Sequence, residues 1–350
     1  MIISYFLEKA LVKALTQSEH ISANIESIGI SGSISHMDEL KSLDFLCCTH
    51  FPCLKELNCE TIGYQDQSTN PKQWQALGKL FKNSPNIEIL TLPVIDSDFP
   101  GFSLRNLKYL DFVCNDSDTG TLNIFDKLFK SIGAYRNLKT LVMDCFDLEE
   151  EHLQMLYDKL SLHRFEMIYP PSSSPDLSTF IANVLKEVLI FKPCNAITSQ
   201  ELLAIANSCT LLEELDLTYT EDSHLDDDPS SIEFDCDAFC EVLRRCRRLK
   251  SLAICIPENS APVDRVVIDI VTIRPDLQEL EIRNSHFISD TTLELLTKSM
   301  TMLKVLKLLP FWKSMEFKDK HVYLLAENMI HLRKLSVDCK SSVSNEPSSF

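Results

Sequence analysis

Glycine is scarce, at 7 of 350 residues. A phosphate-cradling loop or a nucleophile elbow needs glycine where the backbone must approach a ligand closely, and neither pattern occurs in the chain. Basic charge is also short: 34 Lys and Arg stand against 51 Asp and Glu, for a formal charge of -17. Nucleic acid and anionic membranes attract basic surfaces, so neither is an expected partner. No apolar run is long enough to cross a bilayer. The N-terminal "MIISYFLEKALVKAL" has no basic leader, and Glu8 and Lys9 interrupt it, so it does not read as a signal peptide. The thirteen cysteines form no C-x-x-C pair and have no histidine at ligand spacing, which argues against zinc. Their irregular spacing does not make a disulfide framework and suits small buried hydrophobes in a reducing compartment, cytoplasmic or nuclear. "EDSHLDDDPSS" lacks the glycine and terminal glutamate of a calcium loop. The nine histidines join no nucleophile or paired carboxylate. No cofactor, no metal and no enzymatic activity is expected.

What is present is a period. In "ITSQELLAIANSCTLLEELDL" Thr198 and Glu201 stand at capping-box spacing, so a helix begins there. Leu202, Ile205 and Cys209 share one face of that helix, and Leu212, Leu215 and Leu217 then follow strand spacing. With Leu212 as zero, the helix positions lie ten, seven and three residues before it. The same six positions recur without a gap in Phe239, Val242, Cys246, Leu249, Leu252 and Ile254. They recur again in Leu293, Leu296, Met300, Leu303, Leu306 and Leu308, and in Val322, Leu325, Met329, Leu332, Leu335 and Val337. A chance L-x-x-L-x-L is common, but a held phase is not. Weaker copies start strands at Ile25, Leu54, Ile87, Leu107, Leu138, Leu162 and Leu185, and Leu277 completes the series. The mean spacing of about 28 residues lies in the leucine-rich repeat range. Pro52, Pro85 and Pro275 each precede a start by two residues, where proline ends a helix and favours extension.

Residues 197–217 and 288–308 resemble the cysteine-containing leucine-rich repeat, I-[TS]-D-x-x-L-x-x-[LI]-x-x-x-C-x-x-L-x-x-L-x-L. Ile197, Thr198, Leu202, Ile205, Cys209, Leu212, Leu215 and Leu217 match it, as do Ile288, Ser289, Asp290, Leu293, Leu296, Leu303, Leu306 and Leu308. The chain departs from the pattern at the polar position after each strand, which holds Pro193, Thr220, Pro257 or Phe311. The resemblance is to ribonuclease-inhibitor-like proteins and to the repeat region of F-box proteins. It implies an α/β horseshoe solenoid of about 12 irregular repeats, with parallel strands on the concave face and helices on the convex face. The expected division is an N-terminal helix or cap at 1–20, the solenoid at 21–340 and a disordered Ser-rich tail at 341–350. The F-box itself, a run of about 45 residues with L-P-x-E and a downstream Trp in that family, is not visible in "MIISYFLEKALVKALTQSEH".

In each L-x-x-L-x-L the two residues flanking the second leucine face away from the core. The concave rungs are then Tyr109 with Asp111, Val142 after Thr140, Arg164 with Glu166, and Glu187 with Leu189. Glu214 with Asp216 and Glu279 with Glu281 are acidic, which suits a partner with a basic segment. The longer insertions follow strands and share one rim, on which Tyr64, Tyr169, Phe311 and Trp312 add apolar surface. A broad face of this kind fits a protein better than a small molecule. The resemblance implies the substrate-recognition part of an F-box-type ubiquitin-ligase adaptor, which would contact the cullin ligase's linker subunit if an F-box lies upstream. The alternative is a free-standing scaffold or inhibitor.

Overall fold

The computed structural model describes residues 2–4, 22–30, 46–59, 71–95, 104–114, 127–128, 136–145, 153–154, 156–157, 160–167, 177–193, 197–218, 234–256, 263–283, 288–309 and 319–337. Among them the chain forms two compact units, Met1–Ile190 and Phe191–Phe350. The first holds β1 (Ile2–Ser4), β2 (Ser27–Gly29), β3 (Glu56–Asn58), α1 (Pro71–Asn83), β4 (Ile89–Ile95), β5 (Tyr109–Cys114), β6 (Thr140–Cys145), β7 (Arg164–Met167) and α2 (Leu177–Val184). Its strands pair in sequence order, always parallel. The second unit takes up β8 (Ile190–Lys192) from Phe191 onward. It continues with α3 (Ser199–Ser208), β9 (Glu214–Leu217), α4 (Cys236–Arg245), β10 (Ser251–Cys255) and α5 (Val263–Ile273). β11 (Glu279–Arg283), α6 (Asp290–Ser299), β12 (Val305–Leu309), α7 (Asp319–Asn328) and β13 (Lys334–Val337) complete it. There β9 to β13 are again parallel neighbours in order. Strand, helix, parallel strand is the leucine-rich repeat arrangement.

The apolar phase sets the core. Leu212, Leu249, Leu277 and Leu303 are buried, as are Leu215, Leu252, Leu280 and Leu306 on the strands. Each contributes about 1.5–3 kcal/mol of burial. Helices α3, α4 and α6 begin on polar caps. The Thr198 side chain accepts from Glu201 N while Glu201 accepts from Thr198 N, a full capping box. Asp235 accepts from Asp237 N and Ala238 N, and Ser289 accepts from Thr292 N. The same helices end at the buried position three residues before the strand leucine. There the N–H groups of Cys209, Cys246 and Met300 close the last turn onto Ile205, Val242 and Leu296.

Between rungs, one carbonyl serves two donors. The Glu26 carbonyl accepts from Lys55 N and Glu56 N, that of Lys55 from Glu88 N and Ile89 N, and that of Glu213 from Lys250 N and Ser251 N. This signature marks the residue after each first leucine. It also corrects one rung, because the His163 carbonyl accepts from Leu189 N and Ile190 N. The first core residue is therefore Val188, not Leu185. Leu185 instead ends α2, its N–H bonding Ile181 O as Cys209 bonds Ile205 O. In "LKEVLIF" Leu185, Val188 and Phe191 are spaced by three, so the strand pattern fits at two phases; only the later leaves a residue to close the helix.

Two further expectations change. Residues 2–4 are a strand, Ile3 lying opposite Ile28, where a helix or cap was expected; residues 5–21 lie outside the described residues, as does the tail at 341–350. In the last repeat Val322 is 51% exposed and the adjacent His321 is buried in its place, bonding Asp290 on α6 at 2.9 Å. Leu325 and Met329 keep their expected buried places on α7, while Leu335 of the following strand is 42% exposed where a core position was expected. A polar ladder does exist, but in the turns before the strands: Asn86 donates to Pro52 O, Asn106 to Asn86 Oδ1 and Asn137 to Arg105 O.

Candidate functional site

In each unit the open face of the strands is built by the residues flanking the second core position of every rung. In the first unit one row runs Ile89, Tyr109, Thr140, Arg164 and the next Thr91, Asp111, Val142, Glu166. Tyr109 Oη donates to Asp111 Oδ2 at 3.2 Å. Burial, and then the Asp111 charge and hydrogen bond, push the Tyr109 phenol up to about 12. Arg164 and Glu166, two residues apart on one side of β7, form an ion pair of 2.7 Å. Tyr109, Asp111, Arg164 and Glu166 are thus brought together. Val142, expected on the presented face, is only 4% exposed and packs into it. Glu187 is displaced as well. With the rung at Val188, it lies in the turn before β8, where it accepts from Ser161 Oγ and approaches Lys139 and His163. Those contacts, the Ser161 bond foremost, hold its carboxyl below the usual range.

In the second unit the rows are Glu214, Ser251, Glu279, Val305 and Asp216, Ala253, Glu281, Lys307. Lys192 of β8, absent from the expected set because its rung was misphased, pairs with Glu214 at 2.6 Å. Glu281 sits between Lys307 at 2.6 Å and Arg283 at 3.0 Å, with its side chain 13% exposed. Burial works to raise its pKa, but the two cations outweigh it and the net shift is downward. Asp216 accepts from Thr218 N and Oγ1, and Glu279 from Ser251 Oγ. Lys192, Glu214, Asp216, Glu279, Glu281 and Lys307 line a depression of about 140 Å³. Three of the neighbouring side chains are cations, which pair with Glu214 and Glu281, while Asp216 and Glu279 are held by neutral donors, so the face is of mixed charge rather than uniformly acidic. Partly exposed pairs of this kind are worth about 0–1 kcal/mol each and mainly fix side-chain positions.

Phe311 and Trp312 of the expected rim, with Tyr64 and Tyr169, lie outside the described residues. Cys209 and Cys246 are buried, Cys246 Sγ donating to Cys209 O at 3.4 Å, and burial raises both thiols. They are core groups. Among the described residues no cluster of three or more His, Cys, Asp or Glu could hold a metal ion. None of the described helices is long and apolar enough to cross a membrane.

No protein-family model and no curated protein matches the chain. Among solved structures, the leucine-rich repeat-containing protein LegL7 from Legionella pneumophila is 13% identical with a TM-score of 0.46, covering 95% of this chain and 98% of that one. A chain of the yeast Rad7 and Elc1 complex is 16% identical with a TM-score of 0.44, covering 91% and 87%. The chain's own rungs, with their parallel strands, shared carbonyls and buried leucines at fixed phase, give it the leucine-rich repeat fold.

Proposed function

We propose that the chain is a protein-interaction module that holds a polypeptide segment along the open face of its second unit. The observation that carries this reading is the charge array of Lys192, Glu214, Glu281 and Lys307, set on β8, β9, β11 and β12 around a depression of about 140 Å³. Side chains fixed by their neighbours lose little freedom on binding, which favours recognition of a partner bearing both signs of charge. The finer role we assign is the substrate-recognising part of an F-box-type ubiquitin-ligase adaptor. The resemblance of residues 197–217 and, apart from Met300 at the cysteine position, of 288–308 to the cysteine-containing repeat supports it.

The test is affinity capture from cells by residues 1–350, in parallel with K192E/K307E and E214K/E281K variants. One captured protein should be lost from both variants, because each breaks the array. Co-recovery of a cullin with its linker subunit would support the adaptor role; capture without either would leave a free-standing scaffold or inhibitor. Capture unchanged by both variants would refute binding through this face.

A further inference from the structure

The edge of the second unit that precedes its strands carries a different kind of surface. From the last turn of α4 to the start of β10 five basic residues crowd into seven positions: Arg244, Arg245, Arg247, Arg248 and Lys250. Glu241 engages Arg244 at 2.8 Å and Arg245 at 3.1 Å, and Glu213 engages Lys250 at 2.7 Å. On the next rung Asp276 is taken by Arg274 at 2.9 Å. The nearby carboxylates are therefore occupied. Arg247 and Arg248 are exposed, and among the described residues neither side chain has an ion pair or a hydrogen bond. Arg333, three rungs further on the same edge, is exposed and likewise without an ion pair among the described residues. The C-terminus of α4 accounts for Arg244 and Arg245, which lie in its last turn. It does not account for two more like charges set side by side beyond it.

The turn that presents them is held rigidly. The Arg274 guanidinium, only 5% exposed, donates to the carbonyls of Cys246 and Leu249 at 2.5 Å each and to that of Arg247 at 3.3 Å. Beside it opens a depression of about 430 Å³ lined by Glu213, Arg247, Arg248, Lys250, Asp276 and Gln278. Two unpaired guanidinium forks on a fixed turn above a cavity match carboxylates, which arginine binds bidentately.

We propose that this edge docks an acidic segment of a partner protein, with Arg247 and Arg248 as the receiving pair. The site is separate from the open face and does not depend on what that face binds. Nucleic acid fits less well: a long polyanion would leave this small patch and meet the remainder of a chain with formal charge -17. A few cations also neutralise few phosphates.

The experiment uses the full chain and a fluorescein-labelled peptide of about a dozen residues, Asp and Glu alternating with Ser, followed by anisotropy up to about 0.15 M salt. Saturable binding is expected, weakened roughly tenfold or more in R247E/R248E and less in R247Q/R248Q. A K192Q/K307Q variant, altered only on the open face, should bind as the parent does. Thermal melts of the variants should match the parent, since both arginines are exposed. No binding, equal binding by R247E/R248E, loss confined to K192Q/K307Q, or tighter binding of a single-stranded oligonucleotide of equal charge would each overturn the proposal.

Discussion

Replacing Arg274 with methionine should destabilise the second unit more than any exposed charge on its surface. Methionine fills much of the volume but donates nothing. The carbonyls of Cys246 and Leu249, each now accepting from the guanidinium at 2.5 Å, would be left without that donor. A buried acceptor stripped of its partner costs about 1–3 kcal/mol. The pair with Asp276, whose side chain is 63% exposed, adds at most about 1 kcal/mol. Removing a buried charge returns part of its desolvation cost, so the net loss should be about 2–4 kcal/mol. Urea unfolding of the full chain measures it, read beside hydrogen exchange at residues 246–250, because repeat proteins need not unfold in one step. Exchange should quicken there first. Arg274→Lys, which keeps the charge without the fork, should fall between. A loss below about 1 kcal/mol with exchange unchanged would refute the claim that the guanidinium holds the 246–249 turn.

Thr198→Ala removes half of the capping box and should cost about 0.5–2 kcal/mol, read as a lower urea midpoint; a neutral result would mean that Glu201 alone satisfies the helix start. Tyr109 should ionise with a midpoint near 12 rather than the ordinary 10.0, seen as the ultraviolet difference between the parent and Tyr109→Phe across an alkaline titration. Its raised pKa favours the neutral phenol in the folded state. That contribution is therefore fully present below about pH 10 and lost as pH climbs towards 12. Asp111→Asn should move the midpoint down, and an unmoved midpoint would put the whole shift on burial.

The repeat was legible because hydrophobic phase is a property of one dimension. Residues ten, seven and three places before a strand leucine face the core in the repeats that hold the phase, Val322 excepted, so Leu202, Val242, Leu296 and Met329 could be placed by counting, and all are buried. Counting failed where the apolar spacing was degenerate, at Leu185, Val188 and Phe191. It failed again in the last repeat, where His321 takes the buried place expected of Val322 and Leu335 is exposed. The candidate site was legible only as positions. Glu214, Asp216, Glu279 and Glu281 do stand on the open face, while Val142 packs into it and Glu187 stands in a turn.

From residue order alone come the leucine-rich repeat class, the core and the positions that flank it. The tertiary structure alone decides what those positions carry electrostatically. Arg164 with Glu166 and Arg283 with Glu281 pair within one strand, but other partners lie on other rungs, Lys192 beside Glu214 and Lys307 beside Glu281. The Arg274 that holds the 246–249 turn is likewise a full repeat away from it. Sequence separation between rungs varies with each loop, so no fixed spacing announces these pairs. Parallel register sets them side by side, and with that it determines which charges are matched and which, at Arg247 and Arg248, are left to meet another molecule.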